Sequence, residues 1–183
     1  MDFIDLILLG VIIGSNNLAV SFALGALKTK KYHSRIIIVF GIFEFFIPLI
    51  GLLIGRYFTS IIDDYAYIVG TIILISLGLI TIGSSFIKRD NTLKLSQQIT
   101  SYKGIISLAM GLSLDNLIVG FSMGLRNVEP FLLAGVIATF SVVFAFVGLK
   151  TGKYLSKNFQ TITKISAGIL LVLLGFATYF GWI

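Results

Sequence analysis

The chain has 183 residues, 57% of them hydrophobic and only 12% charged, where a soluble domain carries about 25% charged residues. With a mean hydropathy of +1.03, a water-soluble fold is excluded. Cysteine is absent, which removes disulfides and thiolate metal sites, and the net charge of +6 lies in short runs between apolar stretches, a topology signal rather than a nucleic-acid surface.

A spanning helix needs about 20 apolar residues, and the chain offers six such stretches, at 3–27, 36–58, 66–87, 104–125, 130–149 and 162–183. The first is retained as a span rather than a cleaved leader, because Asp2 and Asp5 stand where a basic segment should be. It carries Ser15, Asn16 and Asn17 near its middle. These side chains compete for backbone hydrogen bonds, so a helix interruption is predicted at 15–17. After it come Lys28, Lys30, Lys31 and Arg35, with His33 read as a solvated loop residue.

The second span contains Glu44 and Pro48. Proline cannot bond the carbonyl four residues back, so the Glu44 backbone oxygen is freed beside its own carboxylate. The third span is followed by Lys88, Arg89, Lys94 and Lys103, and the fourth carries Ser113, Asp115 and Asn116, where a second break is predicted over 113–116. The fifth is followed by Lys150, Lys153, Lys157 and Lys164. Twelve of the fourteen basic residues thus fall on one side, with Arg56 and Arg126 on the other beside Asp63, Asp64 and Glu129. The positive-inside rule makes the basic loops cytoplasmic and both termini external, in a multi-pass protein of the cell membrane.

The segment 14–25 can be laid on 113–124 at an offset of 99 residues, matching Asn17, Leu18, Val20, Phe22 and Gly25 with Asn116, Leu117, Val119, Phe121 and Gly124. GLLIGRY at 51–57 lies on GLKTGKY at 148–154 at an offset of 97, and Gly78 falls on Gly175. A unit of three spans leaves the membrane on the side opposite to its entry, so a second copy runs inverted. The expected fold is an all-α membrane protein of six transmembrane helices in one domain over 1–183, with repeat one at 1–87, a linker at 88–103 and repeat two at 104–183. Transporters of this kind place their substrate near the midplane, on interrupted helices between the halves.

Glu44 and Asp115 lie deep in their spans, where an ionised carboxylate costs at least about 2.5–3.5 kcal/mol. No Lys, Arg or His lies in the middle of a span, so each acid is neutral, hydrated in a cavity or balanced by an ion. Oxygen-rich side chains suit a hard or borderline divalent ion such as Mn²⁺. The candidate ion site is therefore Asp115, Glu44, Asn16, Asn116 and Asn17, supported by Ser15, Ser113 and Pro48. Under the repeat register Asn16 matches Asp115 and Glu44 matches Ser141, so each half brings one acid from a different helix. Such a pair can also exchange protons, which makes metal/proton antiport an expectation.

At SLDNLIVG (113–120) and GIFEFFIPLIGLLIG (41–55) the chain resembles the manganese efflux pump family, MntP, within the LysE-type exporter superfamily. The resemblance covers nearly the whole chain, and the second string follows that family's pattern E-x-x-x-P-L-I-G-x-x-x-G. It implies six helices in two inverted repeats, export of Mn²⁺ from the cytoplasm, and functional roles for Glu44 and Asp115. Asn16 departs from it, standing where the family's first span usually has an aspartate and lowering the site's negative charge by one.

The leading expectation is a secondary exporter of divalent metal, since no nucleotide-binding P-loop is present. The ion is cargo, so no cofactor is called for, and no catalytic residue is assigned. Two alternatives keep the fold: an exporter of an amino acid or another small cation, as the wider superfamily allows, and a membrane protein that does not transport. An intramembrane aspartyl protease fits poorly, because paired aspartates must share a proton and Asp115 is the one Asp deep within a span.

Overall fold

The computed structural model describes residues 3–27, 30–62, 65–86, 97–126, 128–154 and 157–180; side chains at 3–5, 16, 62, 153, 157–160 and 164 lie outside the described set. The helices are α1 (Phe3–Ala26), α2 (His33–Ile62), α3 (Ala66–Ser85), α4 (Tyr102–Leu112), α5 (Leu114–Gly124), α6 (Pro130–Thr151) and α7 (Lys157–Tyr179), with 3₁₀ turns at Lys30–Tyr32 and Gly152–Tyr154. No strand occurs among the described residues. Six spans are long and apolar enough to cross a bilayer, the fourth being α4 and α5 in series. The all-α, six-span architecture expected from hydropathy is the one observed.

Local chemistry sets several boundaries. Ser101 opens α4, its hydroxyl accepting from the Gly104 amide at 3.0 Å, the usual role of an N-cap serine. Glu129 caps α6 by accepting from the Leu132 amide, with Pro130 at the first helical position, where its missing N–H costs nothing. Three expectations are corrected. Helix α2 starts at His33 rather than at 36, because the 3₁₀ turn feeds directly into it, so His33 is a half-buried helix residue instead of a solvated loop residue. Helix α7 begins at Lys157, ahead of 162. Of the expected 88–103 linker, 88–96 lie outside the described residues, while Ile99 is buried in an apolar cluster with Ile36, Phe40 and Ile105.

The predicted break at 15–17 is absent, since α1 is helical throughout. The Ser15 hydroxyl donates to its own helix at the Ile12 carbonyl, 2.7 Å away, and so satisfies itself without opening a turn. The predicted break in the fourth span is present. It falls at Ser113, with φ −88° and ψ 0°, where α4 ends and α5 begins.

The helices associate through very close backbone contacts. On α2, a Cβ on Gly51 would come within 2.8 Å of the Phe121 amide nitrogen of α5, and one on Gly55 would run into the Phe121 carbonyl. Between α1 and α6, a Cβ on Gly25 would sit 2.6 Å from the carbonyl oxygens of Gly148 and Leu149, and one on Gly148 would meet Ser21 Cβ at 2.6 Å. Contacts advance together along both chains in each pair, so α1 runs parallel to α6 and α2 to α5. Helices α3 and α7 are antiparallel: Gly78 packs on Val172, Gly175 on Ile75, and Thr71 Oγ1 lies 3.4 Å from Thr178 Oγ1. Small residues serve here because lipid supplies no hydrophobic drive between helices, leaving dispersion at close range to hold them.

The surface is inverted relative to a soluble protein. Ile38, Phe46, Ile72, Ile80 and Phe131 are each more than half exposed, whereas Asn17, Ser21, Glu44, Ser113, Asn116, Ser122 and Ser141 are buried. Apolar groups face outward and most of the polar groups find partners inside, as hydrocarbon surroundings require.

Gly55→Val should prevent the α2–α5 approach, because the clash is with backbone. Overpacking of this kind costs typically 1–3 kcal/mol. Gly135→Ala, whose Cβ would meet nothing within 4 Å, should be neutral or mildly stabilising. Thermal unfolding in detergent, compared with recovery of monodisperse protein, checks the pair; equal behaviour would refute the packing account.

Candidate functional site

Two apolar clusters occupy the two halves of the bundle. One is built from Leu9, Ile13, Leu49, Leu52, Val119 and Ile137 among others, and the other contains Leu24, Phe40, Ala109, Ala145 and Leu149. On each contributing helix the polar residue falls between a member of one cluster and a member of the other: Asn17 between Ile13 and Leu24, Glu44 between Phe40 and Leu49, Ser113 between Ala109 and Val119, and Ser141 between Ile137 and Ala145. The polar groups therefore form a layer across mid-bundle, sealed above and below.

Glu44 is the centre of this layer and is 1% exposed. Its Oε1 accepts from Ser113 Oγ at 2.9 Å, and its Oε2 accepts from Ser141 Oγ at 3.1 Å and from Asn116 Nδ2. Donors from the α4–α5 junction, α5 and α6 thus converge on one α2 carboxylate. No ion pair to Glu44 is found among the described residues, so the carboxylate is held by neutral dipoles alone. Burial without a counter-charge is costly, and hydrogen bonds to both oxygens are the minimum that makes it tolerable.

The break at Ser113 is what puts these donors in place. In a continuous helix the Asn116 amide would bond back to residue 112; here it donates to Asp115 Oδ1 at 2.9 Å. Asp115 accordingly stands in the first turn of α5, half-buried, close enough to interact electrostatically with Glu44. The break also brings the positive end of α5 and the negative end of α4 to the same level, offering one pole to a carboxylate and the other to a cation.

Asn17 of α1, 3% exposed, approaches Glu44 from the opposite half and directs its side-chain amide at the carboxylate. Of the candidate residues, Glu44, Asp115, Asn116, Asn17 and Ser113 are therefore gathered at one level. Ser15 bonds within its own helix. Pro48 lies one turn along α2 from Glu44 and is buried against α5, where a Cβ on Gly120 would meet Pro48 Cα at 3.0 Å. The Asn16 side chain lies outside the described residues.

Ser141 is the site residue that sequence reasoning left off the candidate set. The signal was present, because the repeat register pairs it with Glu44, and the two residues now face each other across the bundle. Among the described residues no group of three or more His, Cys, Asp or Glu side chains is found. Any cation at this level would meet two carboxylates and otherwise neutral oxygens. An apolar groove of about 660 Å³ between α2 and α6, lined by Ile38, Ile42, Phe46, Val142 and Val143, opens on the bundle's outer surface. Glu44 does not line it.

Comparison with known proteins gives consistent matches. The family Mntp, described as “Putative manganese efflux pump”, matches residues 27–178. A protein of Methanosphaera stadtmanae named “Putative manganese efflux pump MntP” is 31% identical over 98% of this chain and 99% of its own length. One of the same name from Bacillus thuringiensis is 29% identical over 97% of this chain and 95% of its own. No solved structure matches. The family match spans most of the chain and the relatives align nearly end to end, and on that basis the chain belongs to the manganese efflux pump family.

Proposed function

We propose that this membrane protein is a secondary active exporter of divalent metal ions, with Mn²⁺ as its main cargo and protons as the counter-ion. Glu44 and Asp115 supply the charge, and Asn17, Asn116, Ser113 and Ser141 the neutral oxygens. The observation that carries the reading is the Glu44 carboxylate, buried between two apolar layers and hydrogen-bonded by neutral donors from three elements. A negative charge so placed is stable only when a proton or a cation neutralises it. Two carboxylates cancel the 2+ charge of the ion, and a hard or borderline cation favours an oxygen-only shell. Because proton and metal compete for the same oxygens, loading one displaces the other.

The inverted-repeat reading belongs to this proposal and is supported by corresponding contacts. Gly51 packs on Gly120 and Phe121 as Gly148 packs on Ser21 and Phe22, and Gly78 on Val172 as Gly175 on Ile75; each pair maps onto the other at the offsets of 97 and 99. The basic loops are taken as cytoplasmic by the positive-inside rule.

In cells lacking their own Mn²⁺ exporter, the wild-type chain should protect against excess Mn²⁺, and Asp115→Ala and Glu44→Ala should not. Protection by a well-folded Asp115→Ala variant would remove this carboxylate from the mechanism. For the purified protein, Mn²⁺ at a hundredfold excess over its Kd should stabilise by about 2.7 kcal/mol, read as a raised Tm that Mg²⁺ does not match; the double variant Glu44→Gln with Asp115→Asn should lose the shift. In proteoliposomes an outwardly directed proton gradient should accelerate Mn²⁺ uptake. Flux indifferent to the gradient would sink the antiport.

A further inference from the structure

On α1 the Asn17 amide is directed at Glu44, whereas the buried Ser21 Oγ has no hydrogen-bond partner. Four residues apart, the two side chains lie one turn from each other on the same helix face. Ser21 is fully buried. Hydroxyls in helices ordinarily bond the carbonyl one turn back, as Thr81 does to Leu77, Thr139 to Gly135 and Ser166 to Ile162 in this chain. Ser21 does not. An orphaned buried hydroxyl is rare enough to call for a reason, commonly water or an ion that visits the group.

The position of Ser21 suggests the reason. It packs on Gly148 where α1 crosses α6, between the level of Glu44 and the end of the bundle that bears Lys30, Lys31 and Lys150. At the corresponding crossing of α2 with α5, toward the other end, its counterpart is Gly120, set against Pro48 and Gly51. The hydroxyl that reaches that crossing, Thr59 Oγ1, is satisfied by the Gly55 carbonyl at 3.1 Å and the Gly124 carbonyl at 3.4 Å. The two crossings are otherwise built from the same glycine contacts, so the one at the basic end is the less well satisfied when shut.

We propose that Asn17 and Ser21 line the cytoplasmic half of the ion's path, with the α1–α6 crossing parting to let a hydrated divalent cation climb from Ser21 past Asn17 to Glu44. Water or the ion's own shell then satisfies the orphaned Ser21 hydroxyl in the open form. The bias suits an exporter, which collects cargo from the cytoplasm. The inference rests on the export reading above.

The chain has no cysteine, so Ser21→Cys creates a single thiol. A membrane-impermeant maleimide should modify it in inside-out vesicles and leave it intact in right-side-out vesicles, with Mn²⁺ slowing the reaction. Modification only from the outer face, or from neither face in folded protein, overturns the path. Ser21→Ala keeps the Cβ and removes the orphan. It should raise the metal-free Tm and increase the Mn²⁺ concentration needed for half-maximal flux by about fivefold or more. A lowered Tm would mean that the hydroxyl is satisfied in the closed bundle, and would also overturn the proposal. Absence of Mn²⁺ flux in the wild-type vesicles defeats the export reading itself, whatever the labelling pattern.

Discussion

A carboxylate buried with no cation beside it among the described residues is the constraint around which this bundle is arranged. Glu44 sits where neither lipid nor bulk water can solvate it, and its two oxygens are met by two hydroxyls and one amide. Hydrogen bonds to a charged group contribute roughly 1.5–3 kcal/mol each. They disperse the charge without cancelling it. The same bonds tie α2 to α6 and to the α4–α5 junction, so the electrostatics of the site and the docking of the helices are one problem. Loosening any of these elements exposes the carboxylate, and neutralising the carboxylate relaxes the hold on all of them.

The packing shows how such a demand is met at modest cost. Where α2 meets α5 and where α1 meets α6, glycines let backbone touch backbone, and few side chains interlock there. Interfaces of this kind gain dispersion energy at short range and lose it quickly on separation. The polar layer lies between the two crossings rather than within either. A bundle so built can shift one crossing while the other stays shut, a geometry suited to rocking motions about a fixed site.

Much of this was legible in the residues before any coordinates. The six hydropathic stretches are the observed spans, and Glu44 and Asp115, picked out by their depth in those spans, lie close together. The predicted break in the fourth span was found at Ser113, whereas the one at 15–17 was not. The difference is physical. Ser15 satisfies itself on Ile12 within an intact turn, while at the fourth span the Asn116 amide is claimed by the Asp115 side chain, and the helix gives way. Propensity alone does not separate these cases, because each outcome depends on which acceptor the side chain reaches. Ser141 was matched to Glu44 by the repeat register yet stayed off the candidate set, because a lone serine in an apolar span carries no charge that marks it as a ligand.

On the proposed cycle, charge neutrality limits what can move. A loaded site carries two carboxylates and a divalent cation, nearly neutral overall, so the apolar layers on either side can re-form around it. An empty site would hold unbalanced negative charge between the same layers, and resealing it would cost several kcal/mol per ion. Protons entering from outside remove that cost and let the empty protein return. The coupling then needs no separate proton channel, because the oxygens that release the metal are those that take up the protons. Asn16 bears on the arithmetic, since an aspartate at that position would add a third negative charge to be neutralised on the return. With asparagine there, a divalent ion and two acids balance without remainder.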